Sequence, residues 1–141
     1  MPRISETDVR TAVALWLRRH GFGILDPKEK HQKGADIRAR HVDYARYFIV
    51  EVKGDPTKKA KQPDGSRYVD FMTAIGQIVT RMKTRAFYYY GLAFPKSYEK
   101  QVRKLPWRFC KKNRISVFLV DGDRRVDHLR WKDLKDLDKA A

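Results

Sequence analysis

The segment from Tyr47 to Lys53, Tyr-Phe-Ile-Val-Glu-Val-Lys, constrains the fold more than any other part of the chain. Its aromatic and β-branched residues predict a strand, and its apolar character places that strand inside a sheet. Side chains alternate along a strand, so Glu51 and Lys53 share one face with Ile49. We therefore expect a core strand that presents a carboxylate and an ammonium group in the same direction.

Apolar patterns elsewhere predict the elements around this strand. Helical spacing predicts helices over residues 5–20, 68–83 and 96–113, the last broken at Pro106, and a charged helix at the C-terminal end. Strands are expected over residues 22–25, 35–40, 86–94, 115–120 and 125–129. The polar segment 54–67 predicts a loop. This order predicts an α/β fold with a central mixed sheet flanked by helices, and 141 residues suit a single domain over residues 1–141.

The charge of the chain is strongly positive. Lys and Arg number 32 against 17 Asp and Glu, a formal net charge of +15, which is typical of a protein that binds nucleic acid. A cationic surface that only keeps the protein in solution, or one that binds an anionic membrane, would explain the same charge. The single cysteine, Cys110, excludes an intrachain disulfide. With a polar N-terminus and no apolar run of membrane length, we expect a cytoplasmic protein outside the membrane.

Asp36 lies one hairpin before Glu51. If strands 35–40 and 47–53 pair antiparallel around a loop near residues 41–45, the two carboxylates converge. Paired carboxylates in a partly buried place repel each other, and a hard divalent cation, Mg²⁺ or Mn²⁺, would remove that repulsion. Such a cation polarises a phosphate and lowers the pKa of a bound water. Lys53 would then orient the attacking water, act as its base or stabilise the charge that develops on phosphorus.

Each part of this pattern has a simpler interpretation. Glu-x-Lys on a strand is often an exposed ion pair, and Gly34-x-Asp36 is often a turn or the entry to a strand. The joint pattern is more specific, because it needs both motifs, a gap of hairpin length between them and an apolar strand around the second.

Gly-Ala-Asp-Ile at residues 34–37, followed by Phe-Ile-Val-Glu-Val-Lys-Gly at residues 48–54, resembles the PD-(D/E)xK nuclease superfamily. The resemblance implies a restriction-endonuclease-like αβββαβ core over roughly residues 5–94. It implies that Asp36, Glu51 and the carbonyl of Val52 bind the metal and that Lys53 is catalytic. Ala35 stands where the family has a proline.

Two further residues match one part of that superfamily. Holliday-junction-resolvase-like and Mrr-like members use a first-helix glutamate and often a glutamine on the helix after the third strand, which match Glu6 and Gln77. Glu6 could instead only stabilise the helix dipole, and Gln77 could be an ordinary polar helix residue. Glu6 shares the helical stripe of Val9 and Val13, so we expect it to point toward the sheet.

Basic residues in the loop after the third strand, on the second helix and in the segment 96–114 are expected to contact phosphates. They would position the nucleic acid backbone and carry little base specificity. The alternative is an ordinary solvated helix face. The predicted contacts are Lys58, Lys59, Lys61, Arg81, Lys100, Arg103, Lys104, Lys111 and Lys112. The tyrosines at residues 88–90 lie in an apolar run, which favours a place in the core over a base-stacking platform.

These patterns predict a Mg²⁺-dependent DNA endonuclease that hydrolyses phosphodiester bonds and acts as a homodimer, with branched or otherwise structured DNA among its candidate substrates. One alternative is a non-catalytic nucleic-acid-binding module of a larger nuclease or mobile-element complex. Another is a structural protein of a basic assembly such as a ribosome, which leaves Glu51 and Lys53 on a core strand unexplained.

Overall fold

A mixed six-stranded sheet forms the centre of the protein. The computed structural model describes residues 3–25, 36–57, 60–82 and 86–140, and the strands lie in the sheet in chain order. The β1–β2, β2–β3 and β5–β6 pairs are antiparallel, whereas β3–β4 and β4–β5 are parallel. The predicted mixed sheet is confirmed. The strands are β1 (Phe22–Ile24), β2 (Ile37–His41), β3 (Tyr47–Val52), β4 (Tyr88–Pro95), β5 (Ile115–Val120) and β6 (Val126–Leu129).

Helices cover both faces of the sheet. Along the chain, the first elements are one helix, three strands, a second helix and a fourth strand, which confirms the predicted αβββαβ order. No helix in the described ranges is both long enough and apolar enough to cross a membrane. The helices are α1 (Glu6–Arg19), α2 (Pro63–Arg81), α3 (Glu99–Val102) after a 3₁₀ turn (Lys96–Tyr98), α4 (Trp107–Asn113) and α5 (Trp131–Ala140).

Helix α1 begins at a capping box. The Ser5 hydroxyl accepts a hydrogen bond from the Asp8 amide at 3.1 Å, and the Asp8 carboxylate accepts one from the Ser5 amide at 3.3 Å. These bonds satisfy amides that the first helical turn cannot pair internally. Gly21, with φ of +90°, takes the left-handed conformation after the helix ends. Both ends of α1 are therefore set by local sequence.

The two faces of the sheet carry separate hydrophobic cores. Helix α1 packs Val9, Val13 and Leu17 on one face, and all three are fully buried. Helix α2 packs on the other face together with the helices that follow β4. Removing a buried side chain such as Leu17 by substitution with alanine would cost about 2–5 kcal/mol of stability. The cores hold β3 between them, so both faces of this strand are covered.

Two predicted helices have different bounds in the structure, and the strand predicted over residues 35–40 begins at Ile37, so Asp36 lies just before β2 and not within it. Helix α2 begins at Pro63 and not at residue 68, because proline lacks the amide hydrogen that the first helical turn cannot use. Asp64 and Gly65 therefore lie in the first turn of α2 and not in a loop. The predicted helix 96–113 is divided into a 3₁₀ turn, α3 and α4, with the expected break at Pro106.

Candidate active site

The strand register places Asp36 opposite Glu51. Ile37 pairs with Val50 in the antiparallel β2–β3 ladder, so the residue before Ile37 lies across from the residue after Val50. The Asp36 carboxylate accepts a hydrogen bond from the Val52 amide at 2.7 Å, which holds it against β3. The Asp36 charge also acts directly on Glu51, so the two carboxyl groups are neighbours. The predicted convergence of these two carboxyl groups is present.

Glu51 is a buried acid in a charged environment. Its side chain is only 2% exposed. Burial, followed by the neighbouring Asp36 charge, raises the pKa of Glu51 to about 7, although Arg81 acts in the opposite direction. The site therefore holds a carboxyl group that ionises only with difficulty unless a positive charge stabilises it.

Two arginines provide positive charge at this site. The Arg81 Nε lies 3.3 Å from Glu51 Oε1, and the Arg10 Nη2 lies 3.5 Å from Asp36 Oδ1. The arginines therefore offset only part of the repulsion between the carboxylates, because the pKa of Glu51 stays raised even with Arg81 beside it. Arg81, predicted as a nucleic acid contact, lies inside the site. Arg10 was not predicted, although it follows Glu6 by one helical turn and so shares its face of α1.

Lys53 extends β3 by one residue. Its amide donates a hydrogen bond to the Ala93 carbonyl of β4 at 3.0 Å, which continues the strand pairing beyond Val52. Strand alternation then places Lys53 on the face of Glu51, and its side chain is half-buried. A Cβ atom at Gly54 would overlap the backbone of Ser5 and Glu6. The end of β3 thus packs directly against the start of α1, a contact that only glycine permits.

Glu6 and Gln77, the two less certain members of the predicted site, differ in burial: Glu6 is exposed and Gln77 is half-buried. The Glu6 side chain is exposed, so the expectation that it points toward the sheet is wrong: it is the first residue of α1, ahead of the buried stripe that begins at Val9. Gln77 is half-buried and precedes Arg81 by one turn, so it shares the Arg81 face of α2. Its side-chain carbonyl oxygen is buried and accepts no hydrogen bond from the described residues.

The oxygen atoms at this site fit a hard divalent cation. Within the described ranges, no group of three or more His, Cys, Asp and Glu side chains is placed to hold a metal. Mg²⁺ nevertheless commonly uses only one or two carboxylates and keeps several waters. Asp36 and Glu51 supply two carboxylates, and the Gln77 oxygen, which has no hydrogen-bond partner among the described residues, is a further hard donor one helical turn before Arg81. The Val52 carbonyl, implied by the resemblance as a ligand, directly follows Glu51 on β3.

A polar network that the sequence did not predict fixes the turn after Lys53. The Asp55 carboxylate accepts hydrogen bonds from the Ile4 amide at 3.0 Å and from the Ser97 hydroxyl. The Tyr98 hydroxyl donates to the Gly54 carbonyl at 2.7 Å, and burial raises the pKa of Tyr98. The turn is tied in this way to the start of α1 and to the end of β4, which limits the movement of Lys53.

The predicted phosphate contacts lie outside this network. Lys58 and Lys59 are outside the described residues, whereas Lys61 is exposed and lines a cleft of about 710 Å³ together with Pro56, Thr57 and the start of α2. Lys112 is exposed on α4. The remaining ones contact other side chains: Lys100 lies 4.0 Å from Asp64, Arg103 lies 3.7 Å from Glu99, Lys104 lies over the Tyr68 ring, and Lys111 lies over the Trp131 ring.

Two solved structures share this fold. An XisH family protein from Nostoc punctiforme PCC 73102 has a TM-score of 0.55 and 18% identity, with 87% of this chain and 99% of that chain covered. An FdxN element excision controlling factor protein from Anabaena variabilis has a TM-score of 0.50 and 17% identity, with 88% and 99% covered. No protein-family model and no curated protein matches the chain. At these identities the likeness establishes the fold alone.

Proposed function

We propose that this protein is a divalent-metal-dependent DNA endonuclease that hydrolyses phosphodiester bonds at the Asp36–Glu51 pair. The observation that carries the proposal is the position of Asp36 opposite Glu51, with Lys53 two residues further on the same face of β3. The simpler interpretation, an exposed surface ion pair, does not suit Glu51, because its side chain is almost completely buried.

Asp36 and Glu51 would hold the cation, Mg²⁺ or Mn²⁺, with the Val52 carbonyl as a further ligand. When bound, the cation polarises the phosphate and lowers the pKa of its bound water. Lys53 orients the attacking water and stabilises the negative charge that develops on the phosphate oxygens. Arg10 and Arg81 each have a guanidinium group at the site, which suits them to bind phosphate oxygens once they leave the carboxylates. Gln77 would position the water or the cation through its carbonyl oxygen, which no described residue engages, and Glu6 would be an outer residue of the site.

DNA is the proposed substrate because the chain carries a formal net charge of +15. One of the proteins with a similar fold is named an FdxN element excision controlling factor. That name associates it with excision of an element, and we propose that this chain acts on DNA, with branched or structured DNA as candidate substrates. We further propose that it acts in the cytoplasm and as a homodimer.

The proposal is tested by incubating the protein with supercoiled, linear and branched DNA in Mg²⁺, Mn²⁺ or EDTA. The wild-type protein should cut in the presence of a divalent cation and stop in EDTA. Asp36→Asn, Glu51→Gln and Lys53→Met should each lower the rate by about a hundredfold or more. Asp127→Asn, which removes an exposed carboxylate from β6, should leave the rate unchanged. Full activity in both Asp36→Asn and Glu51→Gln would show that the site is assigned wrongly.

A second candidate function is a nucleic-acid-binding module without catalysis. The observation that favours it is the pairing of both carboxylates with arginines, since Arg10 and Arg81 partly balance the charges of Asp36 and Glu51 without a cation. This function predicts salt-sensitive DNA binding that EDTA does not change, with no cleavage product in any cation. The assay above separates the two functions.

A further inference from the structure

A cleft of about 650 Å³ lies at the end of the sheet opposite the Asp36–Glu51 pair. Phe48 and Tyr89, which line it, are the second residues of β3 and β4, whereas Glu51 lies near the other end of β3. A smaller cleft of about 250 Å³ continues from it, and the two share Phe48, Tyr89, His128 and Arg130. This combined cavity, which we name the aromatic cleft, plays no part in the chemistry described above.

Flat rings form the walls of the aromatic cleft. The Trp16 ring stacks on His20 with centroids 3.7 Å apart and meets His128 at 4.7 Å. The Tyr89 ring, which is half-buried, also lines the cleft. Ring faces of this kind bind planar heterocycles by stacking, and a nucleic acid base has such a face whatever its sequence. The walls therefore suit a planar aromatic ligand.

A buried polar pair lies among these rings. The His128 Nε2 is 2.8 Å from the hydroxyl of Ser116, which is buried at the start of β5. Burial, followed by the Arg130 charge, lowers the pKa of His128 to about 4, so its imidazole is neutral at pH 7. A neutral imidazole and a hydroxyl offer both donor and acceptor capacity. These groups match the edge of a base, which also carries donors and acceptors.

The rim of the aromatic cleft is basic. Arg46, Arg114 and Arg130 lie around it, and the Arg46 and Arg114 guanidinium groups are 6.0 Å and 5.8 Å from the centre of the Tyr89 ring. The acid in the lining, Asp133, accepts a hydrogen bond from the Arg130 amide at 2.9 Å, so it is occupied at the start of α5. Guanidinium groups beside an aromatic wall favour a ligand that joins a planar ring to a phosphate.

We propose that the aromatic cleft binds one nucleotide of a single-stranded nucleic acid, with the base against Trp16 and Tyr89 and the phosphate at the arginine rim. A purely apolar ligand would leave the three arginines unexplained. A second copy of this chain would bring another net charge of +15 against the same arginines. The site does not depend on nuclease activity, because it lies at the other end of the sheet from Asp36 and Glu51.

The direct test is a titration of the ¹⁵N-labelled protein with dTMP and dAMP in EDTA, followed by NMR. The probe without a base is deoxyribose 5-phosphate. Both nucleotides should shift the amide signals of Phe48, Tyr89, Ser116 and His128 and leave that of Glu51 in place. Equal shifts with deoxyribose 5-phosphate, shifts only elsewhere, or none at millimolar nucleotide would overturn the proposal. Shifts of these signals on dilution alone would instead identify a second copy of the chain and also overturn it.

Substitutions test the same site with a labelled single-stranded oligonucleotide and fluorescence anisotropy in EDTA. Tyr89→Leu, which keeps an apolar side chain, should weaken binding about tenfold, in line with the loss of one stacked base. Arg46→Gln should also weaken binding. Arg18→Gln removes the same charge from the exposed side of α1 and is the matched control. If Arg18→Gln weakens binding as much as Arg46→Gln, the effect is general electrostatics and the proposed site is wrong.

Discussion

The Arg81 guanidinium lies 3.3 Å from the carboxylate of Glu51 on β3, the same carboxylate that would bind the cation. Arg10 has the same relationship to Asp36, at 3.5 Å. A divalent cation and these two arginines therefore compete for the same carboxylate oxygens. A protein that binds both a cation and DNA at this site would move its arginines from carboxylate to phosphate.

Arg81→Gln should change cation and DNA binding in opposite directions. Without the guanidinium, Glu51 has no competing positive charge, so Mn²⁺ affinity should rise by about three- to tenfold. DNA affinity in EDTA should fall, because one phosphate contact is lost. Titration of Mn²⁺ by electron paramagnetic resonance measures the first effect and anisotropy the second. Arg19→Gln, an exposed arginine of α1, should leave Mn²⁺ affinity unchanged. A fall in Mn²⁺ affinity in Arg81→Gln would show that the arginine helps to hold the cation.

Glu51→Gln should stabilise the protein in EDTA. The folded-state pKa of Glu51 is raised to about 7 by burial, whereas the ordinary value is 4.5, so stability is lost as the pH rises through this interval. The variant has no such loss and should be more stable than wild type by up to about 3 kcal/mol at pH 8. Urea unfolding at a series of pH values measures the difference, which should shrink toward pH 4. A less stable variant at pH 8 would show that Arg81 fully compensates the buried charge.

His128 should have the opposite effect on stability over a similar pH range. Burial lowers its pKa from 6.5 to about 4 in the folded state, so the unfolded chain takes up a proton first as the pH falls. The stability contributed by the neutral imidazole is present above pH 6.5 and is lost toward pH 4, by up to about 3 kcal/mol.

His128→Gln should remove this pH dependence, while it also lowers stability at pH 7 because ring stacking on Phe118 is lost. Because Glu51 and His128 change the stability over overlapping pH ranges, each variant is compared with wild type at the same pH by urea unfolding. A difference between His128→Gln and wild type that is constant from pH 4 to pH 8 would contradict the assignment to His128.

The outer face of α2 is the surface we assign to the proposed homodimer. Val69, Met72 and Val79 are exposed along it, and Gly76 lies between them with open space at its Cβ position. Met72→Lys should convert the dimer to a monomer in size-exclusion chromatography with light scattering, because a charge would be buried in the interface. Leu15→Lys, which makes the same kind of change on exposed α1, should remain dimeric. A wild-type protein that is monomeric, or a Met72→Lys variant that stays dimeric, would rule out this surface.

Strand alternation and hairpin length were sufficient to predict the pairing of Asp36 with Glu51, because both depend on residues close in sequence. The contacts of Arg10 and Asp55 could not be predicted in this way. The Ile4 amide and Asp55 are 51 residues apart, and their hydrogen bond exists only because α1 and β3 meet in the folded protein. The predicted orientation of Glu6 was wrong for a related reason. Helical spacing gives the face of the helix on which a residue lies, but it does not tell whether the sheet extends beneath that residue.

The claim that Asp36 and Glu51 hold a divalent cation is tested most directly by soaking crystals of the wild-type protein in Mn²⁺ and measuring anomalous diffraction. We predict an anomalous peak between the two carboxylates, with the Arg10 and Arg81 guanidinium groups moved away from them. The peak should be absent in Glu51→Gln crystals treated in the same way. The claim would be contradicted by wild-type crystals in which the Asp36–Glu51 site is open to solvent but shows no peak, and in which both arginines still contact the carboxylates.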